Sequence, residues 1–464
     1  MREFSTQIRK LVFVWLAALA LLALAAGYWQ VVAAPALRNN PNNTRAAERQ
    51  SLTQPGTVYA ADGKTMIMGA EHTGGTWQTT YPEPNVFCHL TGYNRATGVQ
   101  GGLKDALLGE GRYANPWQAL LHGRMRGCDV YLTINPEAQR VATKALRGLR
   151  GAVIALDPRD GAIRVMASSP GYDPEIIRNQ EAYDVFRTDP FAPELNRALQ
   201  GLYVPGSALK IMTAAMALDA GLVKPSTTFT CAGVEEVGGT RVSCPGGKPH
   251  GTVTLTQALA QSCNITFAKI GLKLGPEVFR NYVRQFHLLD QGVLPLPSKG
   301  GGMADLTGAR GQALLVHTAY GQGQTMVTPL AMARLVATLA NGGQVLQPYL
   351  VSEIKDPGGA VRYQGQALQL GQAVKPQVAQ WLAGMMTQTV ETGTAGVMAI
   401  RGVKVAAKTG TGQKNGGRPD VWLVAFAPAD HPTAVIAVVI EGGISGGGTA
   451  GPIANEVLRA LLGG

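Results

Sequence analysis

Ser207 and Lys210 are the residues from which chemistry is read most directly. A serine hydroxyl is a weak nucleophile until a neighbouring base takes its proton. A lysine is such a base only when neutral, a state favoured by burial or by a nearby cation. Three apart on a helix, the two side chains share one face. Pro205-Gly206 closes the incoming loop, so the helix predicted over Ser207 to Ala220, ended by Gly221, begins at the serine itself. There, free backbone N–H groups and the positive end of the helix dipole favour developing negative charge. Lys408 is a candidate second cation.

Two further groups complete a site. Ser262 and Asn264 flank Cys263 and share a cleft if they sit on a loop or turn; the serine can relay a proton, and the asparagine offers both a donor and an acceptor. Lys408-Thr409-Gly410-Thr411 ends a Val-Ala strand predicted over Val403 to Lys408. Its lysine suits a substrate carboxylate, its threonines add hydrogen bonds, and Gly410 lets a bound backbone come close. Each group alone is weak, since a Ser/Asn pair is a common cap or turn. The chain also holds a second S-x-x-K, Ser352-Glu353-Ile354-Lys355. It lies in a strand-like stretch running into Pro357-Gly358-Gly359, where residues three apart face opposite ways, and it reads as surface. In order and together, Ser207–Lys210, Ser262–Asn264 and Lys408–Thr411 follow the S-x-x-K, S-D-N, K-T-G set of serine acyl-transfer enzymes, with Cys263 in place of the aspartate.

The elements that must position these residues are regular from Asp129 on. Pro136 to Leu149 reads as a helix capped by Asn135. Ala152 to Asp157 and Ala162 to Ser168 form a hairpin across an Asp-Gly turn. Thr254 to Gln261, Pro329 to Ala340 and Ile453 to Leu462 read as helices, the second capped by Thr328. Val403 to Lys408, Val421 to Ala427 and Thr433 to Glu441 read as strands, broken at Asn415-Gly416-Gly417 and Pro428-Ala429-Asp430. Strands at both ends with helices between predict an α+β domain, one antiparallel sheet with helices around it.

Ahead of it, residues 35–128 are rich in Asn, Gly, Pro and Tyr, with Asn39-Asn40-Pro41-Asn42-Asn43 at the start, and predict a small module of short strands and loops. Residues 11–34 read as a membrane anchor, since Leu11 to Gly27 is apolar without a break. Arg2, Arg9 and Lys10 lie in the tail of residues 1–10, which predicts a cytoplasmic N-terminus and an extracytoplasmic remainder. The rival is a signal peptide cleaved near Ala33-Ala34-Pro35, for which the apolar segment is long, so the retained anchor is favoured. A length of 464 residues allows two or more domains, and 45% hydrophobic with 15% charged residues is globular. The net charge of +11 suits a neighbour of an anionic membrane and wall, and no basic-aromatic run indicates nucleic acid. Gly63-Lys64-Thr65 resembles a P-loop ending, but Val58 stands where glycine is needed. No C-x-x-C pair or histidine spacing predicts a metal site, and no cofactor is expected. Cys231 and Cys244 flank a Gly-rich segment, which leaves open a small-loop disulfide or two buried thiols.

On these motifs the chain resembles the class B penicillin-binding proteins, membrane-anchored peptidoglycan D,D-transpeptidases. The resemblance extends to Leu132-Thr133-Ile134-Asn135 with Gln139, to residues 151–173, to Asn196-Arg197-Ala198-Leu199 before Tyr203-Val204-Pro205-Gly206, and to Gly321-Gln322-Gly323-Gln324 with Val327-Thr328-Pro329-Leu330. It covers residues 129–464. Residues 35–128 are most like the pedestal of the penicillin-binding protein A group, through Tyr81-Pro82 and His89-Leu90-Thr91-Gly92-Tyr93, with Gln54-Pro55-Gly56 departing from the usual Arg-Gly.

The resemblance implies a penicillin-binding/β-lactamase-like fold, a β-rich pedestal and one transmembrane helix. It implies Ser207, Lys210 and Ser262 as catalytic residues and Asn264, Lys408, Thr409, Gly410 and Thr411 as substrate-binding residues. The backbone N–H groups of Ser207 and Thr411 would form an oxyanion hole. Stem peptides ending in D-Ala-D-Ala, β-lactams and a SEDS-type glycan polymerase are the implied partners. A class A β-lactamase is disfavoured because Glu194 precedes the nucleophile. A glycosyltransferase domain does not fit the roughly 90 residues between anchor and catalytic domain. A D,D-carboxypeptidase and a β-lactam sensor or scaffold stay open.

Overall fold

The computed structural model describes residues 2–33, 52–94, 96–113, 126–414 and 416–463. The Asn39–Asn43 run, Ala34 at the end of the expected anchor and Asn415 lie outside the described residues. Helix Arg2–Gly27 runs into a π-helical turn, Tyr28–Val32. Its stretch Thr6–Val32 has the length and apolarity of a single membrane span. Phe13, Trp15 and Leu24 stand exposed along it, an arrangement that lipid would tolerate and water would not.

The region from residue 129 on is built on a five-stranded sheet ordered Ala406–Gly412, Asp420–Ala427, Ala434–Ile440, Gly151–Leu156, Ile163–Ser169. Every pairing in it is antiparallel, and two segments far apart in the chain meet where Val438 lies opposite Val153. The strands read as near-continuous apolar runs because both faces are covered. Alternation sends Val153, Leu423, Ile436 and Val438 to one side, where Ala138, Ala142, Ala454 and Val457 of helices Pro136–Ala145 and Gly451–Leu462 pack. Ile154, Trp422, Val424 and Val439 face the other side, against Met332, Leu335 and Val336 of helix Pro329–Ala340 and the buried helix Lys210–Asp219. The helices expected around the sheet thus divide between its two faces. Asn135 caps the first, accepting from Ala138 N at 3.0 Å, and Thr328 caps the third, accepting from Ala331 N at 3.1 Å.

A second sheet of six strands holds the pedestal. Its order is Val361–Gln364, Val351–Lys355, Asp129–Leu132, Val58–Tyr59, Met66–Thr73, Thr76–Thr80. It crosses the expected 128/129 boundary, since Val58 pairs in parallel with Val130 and Val351 pairs with Leu132. The module is also less purely β than its composition suggests. Helices Pro84–Thr91, Gly98–Gly102 and Lys104–Leu108 bury Phe87, Leu90, Val99 and Leu107 beneath the sheet. Such short helices have no room for the long apolar period that would announce them in sequence.

Candidate active site

Ser207 lies in a 3-10 turn, Gly206–Leu209, and the α-helix begins only at Lys210. The expected helix therefore opens tightly, and in that geometry residues three apart eclipse each other. Lys210 Nζ comes to 3.0 Å from Ser207 Oγ. Gly206 makes the turn feasible: its φ is +55°, and a Cβ there would stand 2.4 Å from the Thr411 backbone. Behind the turn, Trp422 Nε1 donates to Val204 O at 2.9 Å. The pair of buried Arg197 and half-buried Glu441, 2.8 Å apart, holds the approach segment to the sheet, and Tyr203 OH donates to the same carboxylate at 3.0 Å.

The second motif sits on the turn between helices Leu255–Ala260 and Asn264–Gln285, as the loop-or-turn reading requires. Ser262 takes φ +60°, a left-handed conformation that costs a non-glycine residue about 1–3 kcal/mol and persists only where surroundings enforce it. That conformation aims the Ser262 carbonyl at Lys210, whose Nζ donates to it at 2.7 Å. Lys210 also donates to Asn264 Oδ1 at 2.6 Å and lies 3.2 Å from Ser262 Oγ. A carbonyl and an amide oxygen accept only, so they occupy two N–H bonds of a neutral amine and leave its lone pair for a serine hydroxyl. Burial pushes Lys210 down to about 7.

The third motif lies inside strand Ala406–Gly412 rather than at the end of an earlier one, because the ladder with Asp420–Ala427 runs unbroken through Lys408–Thr411. Lys408 is fully buried and points beneath the cleft. Its Nζ reaches Ser262 Oγ and Thr409 O, each at 3.1 Å. Burial, then repulsion from Lys210, holds Lys408 well below an ordinary lysine. Ser262 Oγ is thus shared by two amines. At Gly410 the chain's own backbone comes close as well. A Cβ at Gly410 would meet Pro205 O at 2.9 Å and Ala208 N at 3.0 Å.

All three motifs border one cleft of about 970 Å³, into which Ser207, Ser262, Asn264, Thr409, Gly410 and Thr411 open. Residues 151–459 match the penicillin-binding protein transpeptidase domain. The chain belongs to that family. The peptidoglycan D,D-transpeptidase PbpA of Mycolicibacterium smegmatis is 32% identical, with 99% of each chain covered. Penicillin-binding protein A of M. tuberculosis, as its imipenem acyl-enzyme complex, superposes with TM-score 0.83 at 32% identity, over 89% of this chain and 99% of its own. PBP2 of Pseudomonas aeruginosa in complex with WCK 5153 gives TM-score 0.78 at 26% identity, over 89% and 96%.

This penicillin-binding protein also places residues in the cleft that the three motifs omit. Thr394 Oγ1 lies 2.6 Å from Thr409 Oγ1, brought there by the loop after helix Pro376–Glu391, and no local pattern marks it. Gln322 donates to Thr411 O at 2.8 Å and accepts from Gln413 N at 3.2 Å, clamping the end of the third motif. Its Gly-Gln-Gly-Gln setting was a usable signal. Ser243 O accepts from Asn264 Nδ2 at 2.7 Å. Cys231 and Cys244 are two buried thiols with sulfurs 3.6 Å apart, so the open choice falls on the thiols. Glu194 takes a hydrogen bond from Tyr93 OH at 2.6 Å and does not border the cleft. The second S-x-x-K lies in strand Val351–Lys355, as expected.

Proposed function

We propose that the chain is a peptidoglycan D,D-transpeptidase that crosslinks stem peptides and is acylated by β-lactams. The observation that carries this is a buried amine, Lys210, at 3.0 Å from a serine hydroxyl that opens into a cleft, with its N–H groups taken up by acceptor-only oxygens. Ser207 Oγ attacks the carbonyl of the D-Ala-D-Ala bond and gives its proton to Lys210. The backbone N–H groups of Ser207 and Thr411 receive the oxyanion, each worth roughly 3 kcal/mol. Ser262 passes the proton to the departing D-alanine amine, with Lys210 and Lys408 both in contact with its hydroxyl. Thr409 and Thr411 hold the terminal carboxylate, with Lys408 behind them. The free hydrogen of Asn264 Nδ2 meets the substrate amide. An amine of a second stem peptide then attacks the ester, an amide forms, and Ser207 recovers its proton.

The domain reading that goes with this function is a tail 1–10, an anchor 11–34, a pedestal 35–128 and a transpeptidase domain 129–464. The N-terminus lies in the cytoplasm and the catalytic domain outside, following Arg2, Arg9 and Lys10. A SEDS-type glycan polymerase would engage the anchor; exchanging residues 11–34 for an unrelated span should weaken co-purification, and unchanged recovery counts against it.

The test is intact mass after penicillin G, with peptide mapping, followed by an acceptor assay. One penicilloyl adduct on Ser207 and a crosslinked dimer are expected. An adduct on another side chain overturns the site. D-Alanine release with no dimer converts the reading to a D,D-carboxypeptidase, and labelling with neither product converts it to a sensor or scaffold.

A further inference from the structure

Beside the cleft, four side chains converge that the transpeptidase chemistry does not use. The sulfurs of Cys231, Cys244 and Cys263 and a ring nitrogen of His250 all lie within 4.8 Å of one another. Sequence spacing hides the group because tertiary structure assembles it. Cys231 ends strand Thr228–Cys231 opposite Gly251, which brings His250 alongside. Cys244 follows the hairpin Val234–Val237/Thr240–Ser243. Cys263 caps helix Asn264–Gln285.

The separations fit one metal rather than a bond between sulfurs. Cys231 and Cys244 sulfurs are 3.6 Å apart, Cys244 and Cys263 sulfurs 3.8 Å, and Cys231 Sγ to His250 Nδ1 is 3.3 Å. A tetrahedral zinc with Zn–S near 2.3 Å and Zn–N near 2.0–2.1 Å has edges of about 3.8 Å between sulfurs and about 3.6 Å between sulfur and nitrogen. A disulfide requires about 2.05 Å. All three cysteines are buried, at 1%, 2% and 0% exposure, so the sulfurs are shielded from outside thiols and oxidants. The first turn of helix Asn264–Gln285 orients the Cys263 sulfur: Thr266 Oγ1 and N donate to Cys263 Sγ at 3.2 and 3.5 Å.

We propose that Cys231, Cys244, His250 and Cys263 bind one zinc ion as a closed Cys₃His site. Three thiol protons leave to solvent as three Zn–S bonds form, and the neutral imidazole supplies the fourth ligand. With four protein ligands the ion has no open position, so it is structural. Its place gives it a purpose. Cys263 lies between Ser262 and Asn264, and Ser243, which accepts from Asn264, adjoins Cys244. The ion therefore ties the 231–250 loop to the turn that presents Lys210 with its partners, making the four ligands positioning residues.

The test is zinc content of the full-length protein purified in detergent without chelator, together with zinc-edge X-ray absorption. About one zinc per chain is expected, with a shell of three sulfurs near 2.3 Å and one nitrogen near 2.0–2.1 Å. Cys231→Ser and His250→Ala should each lower zinc at least about tenfold, while Cys88→Ser and Cys128→Ser leave it unchanged. If the ligand variants fail to fold, the absorption spectrum of the parent decides. Protein that lacks zinc and takes up none from added zinc chloride overturns the proposal, whether its thiols are alkylated freely or joined as a disulfide. So does a zinc shell without sulfur. Metal content reads independently of Ser207 labelling, so this proposal and the transpeptidase reading fail separately.

Discussion

The chain contains the S-x-x-K spacing twice, and the two copies behave oppositely. At Ser207–Lys210 a 3-10 turn eclipses the side chains and brings amine to hydroxyl at 3.0 Å. At Ser352–Lys355 a strand separates them. Ser352 Oγ donates to Tyr131 O at 2.9 Å, while Lys355 pairs with Glu353 at 2.7 Å and lies 4.9 Å over the Tyr131 ring. The lysines diverge in the same way. Burial lowers Lys210, and hydrogen bonding to Glu353 raises Lys355. Spacing permits the chemistry; local geometry and burial decide whether it occurs.

The sharpest way to break this contrast is at the serines. Ser207→Ala should abolish covalent labelling by fluorescent penicillin, and Ser352→Ala should leave it intact; label retained by the first variant would remove the nucleophile. Next come the lysines. Lys210→Ala should slow acylation by about 10²–10⁴-fold, the usual range for a lost proton acceptor, and stopped-flow acylation of Lys355→Ala should match the parent.

Acidity gives a graded version. The base must be neutral, so acylation should rise about tenfold per pH unit below a midpoint near 7 and level off above it, until other groups titrate. A midpoint near the ordinary lysine value would contradict the burial argument. Folding stability follows the same sign. Unfolded Lys210 binds a proton up to about pH 10 that the folded chain sheds near 7, so its burial destabilises at low pH and the penalty fades as pH rises from about 7 to 10.

Smaller effects separate the two turns. Gly206→Ala places a Cβ 2.4 Å from Thr411 backbone at φ +55° and should cost at least about 1–3 kcal/mol in denaturant melts. Gly359→Ala, at φ +85° with nothing within 4 Å, should cost only about 1–2 kcal/mol. Equal losses would mean the Gly206 approach to the third motif carries no strain. Smallest is the stability change of Ser352→Ala, about 0.5–1.5 kcal/mol for one hydrogen bond.

Local rules were legible wherever a few neighbouring residues suffice. Helix Pro329–Ala340 with its Thr328 cap, the hairpin over 151–169 and the all-buried strand Asp420–Ala427 follow from capping chemistry, turn residues and apolar runs. The candidate chemistry was legible too, because the motif residues carry it in their types and order. What tertiary structure alone decided is how those residues meet. Lys408 reaches Ser262 across 146 positions and turns beneath the cleft instead of into it. Thr394 joins Thr409, and three cysteines converge on a histidine without any metal-binding spacing. Caps and turns depend on contacts a few residues long, which sequence displays. Sheet register and loop closure set distances between remote side chains, and those are fixed only when the whole core packs.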